Sequence, residues 1–147
     1  RITNSIGITN ILAGEAKAQE VINKTDTEGL SILTSGPIPP DPGRLIESQK
    51  MKQLIKELSQ KYDFVILDSP PCLFVNDAIV LAGYVDGFIL ILESRKTTHR
   101  VLSQTEELLK GVNIQPVGII LNKLKVERGG YYYYYYYKSG YYKGKKS

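Results

Sequence analysis

Three unbroken apolar runs, interleaved with stretches of helical periodicity, predict an α/β protein built on a doubly wound, mostly parallel sheet. The runs are Asp63–Asp68 (DFVILD), Gly87–Leu92 (GFILIL) and Pro116–Leu121 (PVGIIL). None alternates apolar with polar residues, so each reads as a strand covered on both faces, the usual condition inside a parallel sheet. The chain has 147 residues, 42% of them apolar, which is enough for one domain with its own core.

Taken in order, the first element is Leu30–Thr34 (LSILT), a short β-rich run that stops at Ser-Gly-Pro. Gly36–Gly43 (GPIPPDPG) holds four prolines and reads as an extended loop. A helix is predicted over Arg44–Lys61, where Met51, Leu54, Ile55, Leu58 and Tyr62 share one face and lysines and glutamates take the other. The strand Asp63–Asp68 follows and ends at Ser69-Pro70-Pro71, before a short helix over Asn76–Ala82. After the strand Gly87–Leu92, a helix over Thr97–Lys110 carries Val101, Leu102, Thr105, Leu108, Leu109 and Val112 along one stripe. The last strand, Pro116–Leu121, runs into Asn122-Lys123. Open α/β sheets bind ligands beyond the carboxyl ends of their strands, which makes Asp68, Glu93 and Asn122 the positional candidates.

Charge is unevenly spread. Residues 1–122 hold 12 Lys/Arg against 14 Asp/Glu, whereas residues 123–147 hold 7 against 1. The basic pI therefore belongs to the end of the chain, and no basic face is expected on the body for nucleic acid. That end is also where Tyr131, Tyr132, Tyr133, Tyr134, Tyr135, Tyr136 and Tyr137 run consecutively, with Tyr141 and Tyr142 close behind. Glycine, lysine and serine fill most of the remainder, so residues 124–147 are expected to form a disordered tail beside a domain at 1–123. Two structural alternatives remain for the tract: an edge strand that pairs with a copy of itself, or an adhesive low-complexity segment.

Single residues narrow the chemistry. Cys72 is the sole cysteine, which excludes an internal disulfide, and it reads as a small semi-buried thiol. His99 is the sole histidine and reads as a solvated helix-start residue, with no zinc-site spacing around it. Asp77 and Asp86 read as local caps. Glu93, Arg95 and Lys96 are open between phosphate contact and a solvated loop, with the loop favoured, and Arg44 after the Pro-rich loop is similarly open. No apolar run approaches a membrane span, and no signal peptide is visible.

Four apolar residues followed by an aspartate, Phe64-Val65-Ile66-Leu67-Asp68, form a Walker B pattern. A carboxylate held at a strand end there can help place Mg²⁺ beside nucleotide phosphates, commonly through water. In its wider setting this pattern resembles the bacterial tyrosine kinases (BY-kinases), deviant-Walker P-loop ATPases of capsule and exopolysaccharide synthesis. The resemblance lies in YDFVILDSPP (Tyr62–Pro71), NDAIVLAGYVDGFILIL (Asn76–Leu92), VGIILNK (Val117–Lys123), LSILTSGPIPPDP (Leu30–Pro42) and RITNSIGITNILAG (Arg1–Gly14). The terminal tyrosine cluster resembles the family's hallmark.

The resemblance implies roles for particular residues. Asp68 would be the Walker B aspartate, catalytic and Mg²⁺-linked through water, and Asn122 would contact the adenine of ATP. Tyr131–Tyr137, Tyr141 and Tyr142 would be autophosphorylation sites offered in trans within a ring-like homo-oligomer. The partner implied is a membrane-bound polysaccharide co-polymerase that activates the kinase, and the location is cytoplasmic, at the inner face of the plasma membrane. No G-x-x-x-x-G-K-[ST] occurs, because Gly140-Tyr-Tyr-Lys-Gly-Lys-Lys-Ser147 has the wrong spacing. The family's second acidic motif is also absent, and the chain opens on Arg1. The expectation is a P-loop NTPase-like domain incomplete at its N-terminus, inactive alone. A phospho-acceptor module and a partition-type ATPase are the alternatives.

Overall fold

The computed structural model describes residues 2–124. The order of elements is α1 (Ile8–Ala13), α2 (Ala18–Val21), β1 (Asn23–Lys24), β2 (Ser31–Ile32), α3 (Pro42–Ile46), α4 (Gln49–Ser59), α5 (Asp77–Ala82), β3 (Ile89–Glu93), α6 (His99–Gly111) and β4 (Gly118–Asn122). The architecture is α/β. Its strands form two small sheets, with β1 antiparallel to β2 and β3 parallel to β4. The chain divides into two compact units, one ending at Asp86 and the other beginning at Gly87.

In the first unit, Leu12, Met51, Leu54, Ile55 and Leu81 form the core, with Leu45, Ile46, Leu58, Leu67 and Tyr84 packed against it. The apolar face predicted for Arg44–Lys61 is the buried one, but the helix is broken in two. Ser48 Oγ accepts a hydrogen bond from the Met51 amide at 3.2 Å and donates to the Leu45 carbonyl at 2.6 Å. It thereby ends α3 and caps α4 in one stroke. The first helix also starts earlier than predicted, inside the Pro-rich loop. Pro42 occupies a first-turn position and Asp41 Oδ1 accepts from the Arg44 amide at 3.1 Å.

Helix α1 is fastened to the Ser-Gly-Pro turn. The amides of Ile8 and Thr9 donate to the carbonyls of Thr34 and Ser35 at 2.8 and 2.9 Å. Asn4 bonds Gly36 twice, accepting from its amide at 2.8 Å and donating to its carbonyl at 3.1 Å. Gly7 and Gly36 lie so close that a Cβ on Gly7 would land on the backbone of Thr34 and Gly36, and Gly36 itself sits at φ +81°. Both positions require glycine.

Two strand expectations need correction. Leu30–Thr34 keeps only Ser31–Ile32 as strand, and its partner is the antiparallel Asn23–Lys24. Asp63–Asp68 is not a strand within the described residues: residues 64–67 are outside any ladder, and Phe64 and Ile66 are 87% and 90% exposed. Apolarity makes a segment suited to a sheet interior, but a ladder requires hydrogen-bonding neighbours on its edges. The described residues supply none to this segment.

The second unit is a β–α–β arrangement. β3 and β4 run parallel in the register Ile89↔Gly118 to Glu93↔Asn122. Thr98 caps α6, accepting from the Val101 amide at 3.3 Å. Thr105 and Leu109 are the buried residues of that helix, both on the predicted stripe. Burial on both strand faces does not hold here, since Ile89, Ile91, Ile119 and Leu121 are all more than half exposed. No helix among the described residues is long and apolar enough to cross a membrane.

Candidate functional site

Each unit carries one patch of polar groups at the end of an apolar run. In the first, Asp68 follows Leu67 and lines the rim of a cavity of about 760 Å³. Leu12, Met51, Leu54 and Leu81 form apolar lining, and Ser69 and Asp77 add polar atoms near Asp68 in sequence. Asp68 is exposed, and no hydrogen bond or ion pair occupies its carboxylate among the described residues. No cluster of three or more His, Cys, Asp or Glu able to hold a metal occurs there either. A lone carboxylate suits Mg²⁺ bound mainly by water and phosphate oxygens better than a cation caged by protein.

In the second unit the parallel register sets Asn122 beside Glu93. The Asn122 carbonyl accepts from the Ser94 amide at 2.9 Å, and its Oδ1 accepts from the Lys123 amide at 2.8 Å. Lys123 adopts φ +55°, which turns the chain sharply after β4. Its Nζ reaches Glu93 Oε1 at 3.0 Å, while Lys96 Nζ lies 3.4 Å from Oε2. Thr97 Oγ1 accepts from the Glu93 amide at 3.0 Å. The Lys123 hydrogen bond, opposed next by desolvation and aided by the charges of Lys123 and Lys96, holds the Glu93 carboxyl below its ordinary range. Asn122 is exposed and, among the described residues, its Nδ2 has no partner and its Oδ1 accepts only from Lys123, so it offers a donor and an acceptor side by side.

Asn122 ends β4, the strand-end position read from the sequence, whereas Asp68 follows a run that forms no strand among the described residues. Glu93 does not behave as a solvated loop residue. It ends β3 and joins two lysines. The signal for this was present in the run-on strings GFILILE and VGIILNK, which place Glu93 opposite Asn122 once the apolar runs are aligned in parallel. His99 opens α6 as predicted, and Cys72 is a free, half-buried thiol. Tyr131–Tyr137, Tyr141 and Tyr142 lie outside the described residues.

No family model matches the chain. It is 35% identical over 127 residues to the tyrosine-protein kinase YwqD of Bacillus subtilis, covering 86% of this chain and 54% of that protein. The putative tyrosine-protein kinase CapB of Staphylococcus aureus is 33% identical over 127 residues, covering 86% of this chain and 56% of CapB. Among solved structures, the chimerical protein CapA2B2 aligns with a TM-score of 0.80 at 30% identity, over 85% of this chain and 55% of that one. The kinase domain of VpsO aligns with a TM-score of 0.77 at 33% identity, over 83% and 60%. By sequence and by fold, the chain matches the kinase domain of the bacterial tyrosine kinases. It spans about half the length of the tyrosine kinases YwqD and CapB. The tyrosine-kinase match also extends to the kinase domain of Escherichia coli ETK, with a TM-score of 0.76 at 29% identity over 88% of this chain.

Proposed function

We propose that the chain serves in an ATP-dependent protein-tyrosine autokinase that regulates capsular or exopolysaccharide synthesis and export. The observation that carries this is the 35% identity to a tyrosine kinase over 127 residues, in a chain that also ends in a run of tyrosines. Residues 1–123 would form part of a P-loop NTPase-like domain whose complete sheet is doubly wound and mostly parallel, and 124–147 would be its substrate tail.

The site residues fit the cofactors this requires. The unpaired carboxylate of Asp68 would help hold the water shell of Mg²⁺ beside the β- and γ-phosphates of ATP. Bound Mg²⁺ supplies charge neutralisation at those phosphates. Asn122 would read the adenine edge with its free amide group and Oδ1. The acceptor is a tail hydroxyl, at Tyr131–Tyr137, Tyr141 or Tyr142, presented by a neighbouring subunit. Its oxygen would bond to the γ-phosphorus as the bond to the bridging oxygen breaks, ADP leaving with that electron pair. The phenolic proton would pass to a carboxylate of the part of the kinase that this chain does not match. Each phosphotyrosine adds about −1.5 to −2 charges, so about four would cancel the basic end of the chain and more would reverse it. A ring-like homo-oligomer, a membrane-bound co-polymerase as activator and a peripheral cytoplasmic location at the plasma membrane complete the proposal.

One observation favours a second reading: residues 131–142 hold nine tyrosines, acceptors that another kinase could use as readily. The chain would then be a phospho-acceptor for an intact kinase. To separate the two, the chain is co-expressed with the part of YwqD that it does not match and given Mg²⁺-ATP. The kinase reading expects phosphotyrosine in that pair, reduced at least about 100-fold by Asp68→Asn, and none from the chain alone. Phosphotyrosine that appears only with complete YwqD, and is indifferent to Asp68→Asn, would establish the acceptor role instead.

A further inference from the structure

Three contacts tie the end of β3 to the turn after β4, and together they close a circuit. Glu93 Oε1 takes Lys123 Nζ at 3.0 Å, the Lys123 amide donates to Asn122 Oδ1 at 2.8 Å, and the Asn122 carbonyl accepts from the Ser94 amide at 2.9 Å. Glu93 is itself anchored. Its amide donates to Thr97 Oγ1 at 3.0 Å and its carbonyl accepts from the Thr97 amide at 2.9 Å. The ion pair adds little to global stability, because the Glu93 and Lys123 side chains are 32% and 64% exposed and water screens them. Its effect is on conformation at one place.

That place is Lys123. At φ +55° it holds a left-handed backbone that glycine or asparagine adopts far more readily than lysine. A lysine there is accounted for by its side chain, which reaches back from this backbone to Glu93. The same turn sets the Lys123 amide against Asn122 Oδ1. A backbone amide can only donate, so it holds the oxygen end of the Asn122 side chain and leaves Nδ2 as the free end. The Glu93 carboxylate therefore decides, through Lys123, which way round the Asn122 amide stands.

Orientation of an amide matters to a purine. Adenine sets the donor N6 beside the acceptor N7, whereas guanine places the acceptor O6 where adenine has N6. An Asn held by its oxygen meets the adenine pattern and opposes its Oδ1 to O6 of guanine. An amide free to turn end for end presents Nδ2 to O6 and accepts guanine as well. We infer that Glu93 is a positioning residue that makes the nucleotide site selective for adenine over guanine, by holding Lys123 in its left-handed turn and Asn122 in one orientation. The selectivity rests on the reading of Asn122 as the base contact, whereas the circuit rests on its geometry alone.

The test uses the full chain co-expressed with the part of YwqD that it does not match, and measures kcat and KM for phosphotyrosine formation with Mg²⁺-ATP and Mg²⁺-GTP. Glu93→Gln is expected to lower the ATP-over-GTP ratio of kcat/KM by about fivefold to tenfold, through KM, with kcat for ATP kept. Loss of folded protein would instead lower kcat for both nucleotides and leave the ratio unchanged. Lys123→Arg keeps a cation opposite Glu93 and should keep the ratio. Lys123→Gly makes the left-handed turn without a side chain, so Glu93→Gln added to it should lower the ratio no further. An unchanged ratio in Glu93→Gln beside a lowered one in Asn122→Ala overturns the role of Glu93 alone. A further fall when Glu93→Gln is added to Lys123→Gly overturns it equally. An unchanged ratio in Asn122→Ala sinks the base reading of Asn122, and the selectivity with it. No phosphotyrosine from the unaltered pair would overturn the kinase reading and this proposal together.

Discussion

Glu93 shows how much one side chain can organise at a strand end. Its two carboxylate oxygens take a lysine each, and one of those lysines follows the Asn122 proposed to read adenine. The sign of its pH dependence follows from its lowered pKa. A depressed carboxyl contributes fully above its ordinary value of about 4.5 and loses that contribution as pH falls through its folded value. Acidification should therefore release Lys123 and shift the Lys123 amide resonance, with a midpoint below about 4.5. Glu93→Gln should show the released resonance already at neutral pH, and an unchanged spectrum in that variant would refute the clamp. Asp68 behaves oppositely. With an exposed side chain and no hydrogen bond or ion pair among the described residues, its change to Asn should leave chemical stability within about 0.5 kcal/mol by urea titration. Asp68 and Asn122 stood out as candidates because an apolar run and its terminating polar residue are adjacent in sequence, although only Asn122 ends a strand among the described residues. The ion pairing of Glu93 was harder to read, because the strings GFILILE and VGIILNK reveal it only once the register of two strands 29 positions apart in the Glu93↔Asn122 pairing is known.

Elements show the same division between pattern and contact. The amphipathic face of Arg44–Lys61 was readable because periodicity survives the interruption at Ser48, where α3 and α4 meet. The break itself is made by one hydroxyl that bonds in both directions, which composition does not announce. Ser48→Ala should cost about 1 kcal/mol, measured by urea unfolding of the chain. No loss, together with unchanged helical dichroism, would mean that water replaces the cap at no expense. Helix α1, six residues long, was not expected from the sequence. What holds it is remote in sequence: the carbonyls of Thr34 and Ser35, reached only because Gly7 and Gly36 permit close approach.

Across the molecule, burial is concentrated in few places. The first unit relies on a core cluster of five buried residues, three of them on α4. Leu54→Ala removes packing that nothing nearby can restore and should cost about 2–5 kcal/mol. Stability of the whole is expected to be small, of order 5–15 kcal/mol at most for a domain, so the variant should unfold at markedly lower urea. A midpoint equal to that of the unaltered chain would place the core elsewhere. Exposed Phe64, Ile66, Ile89 and Ile91 mark the other side of the balance, apolar residues suited to a sheet interior yet open to water.

Apolar runs, their end residues and the terminal tyrosines were enough to read an α/β chain with Asp68 and Asn122 at the candidate positions, because periodicity and adjacency are local properties. Strand pairing is not local. Only in three dimensions does Phe64–Leu67 prove to have the composition of a buried strand and no ladder among the described residues, while β3 and β4, of similar composition, find one another. The physical reason is that a strand's side chains state where it would be stable, whereas its hydrogen bonds require a neighbour that its own residues cannot specify.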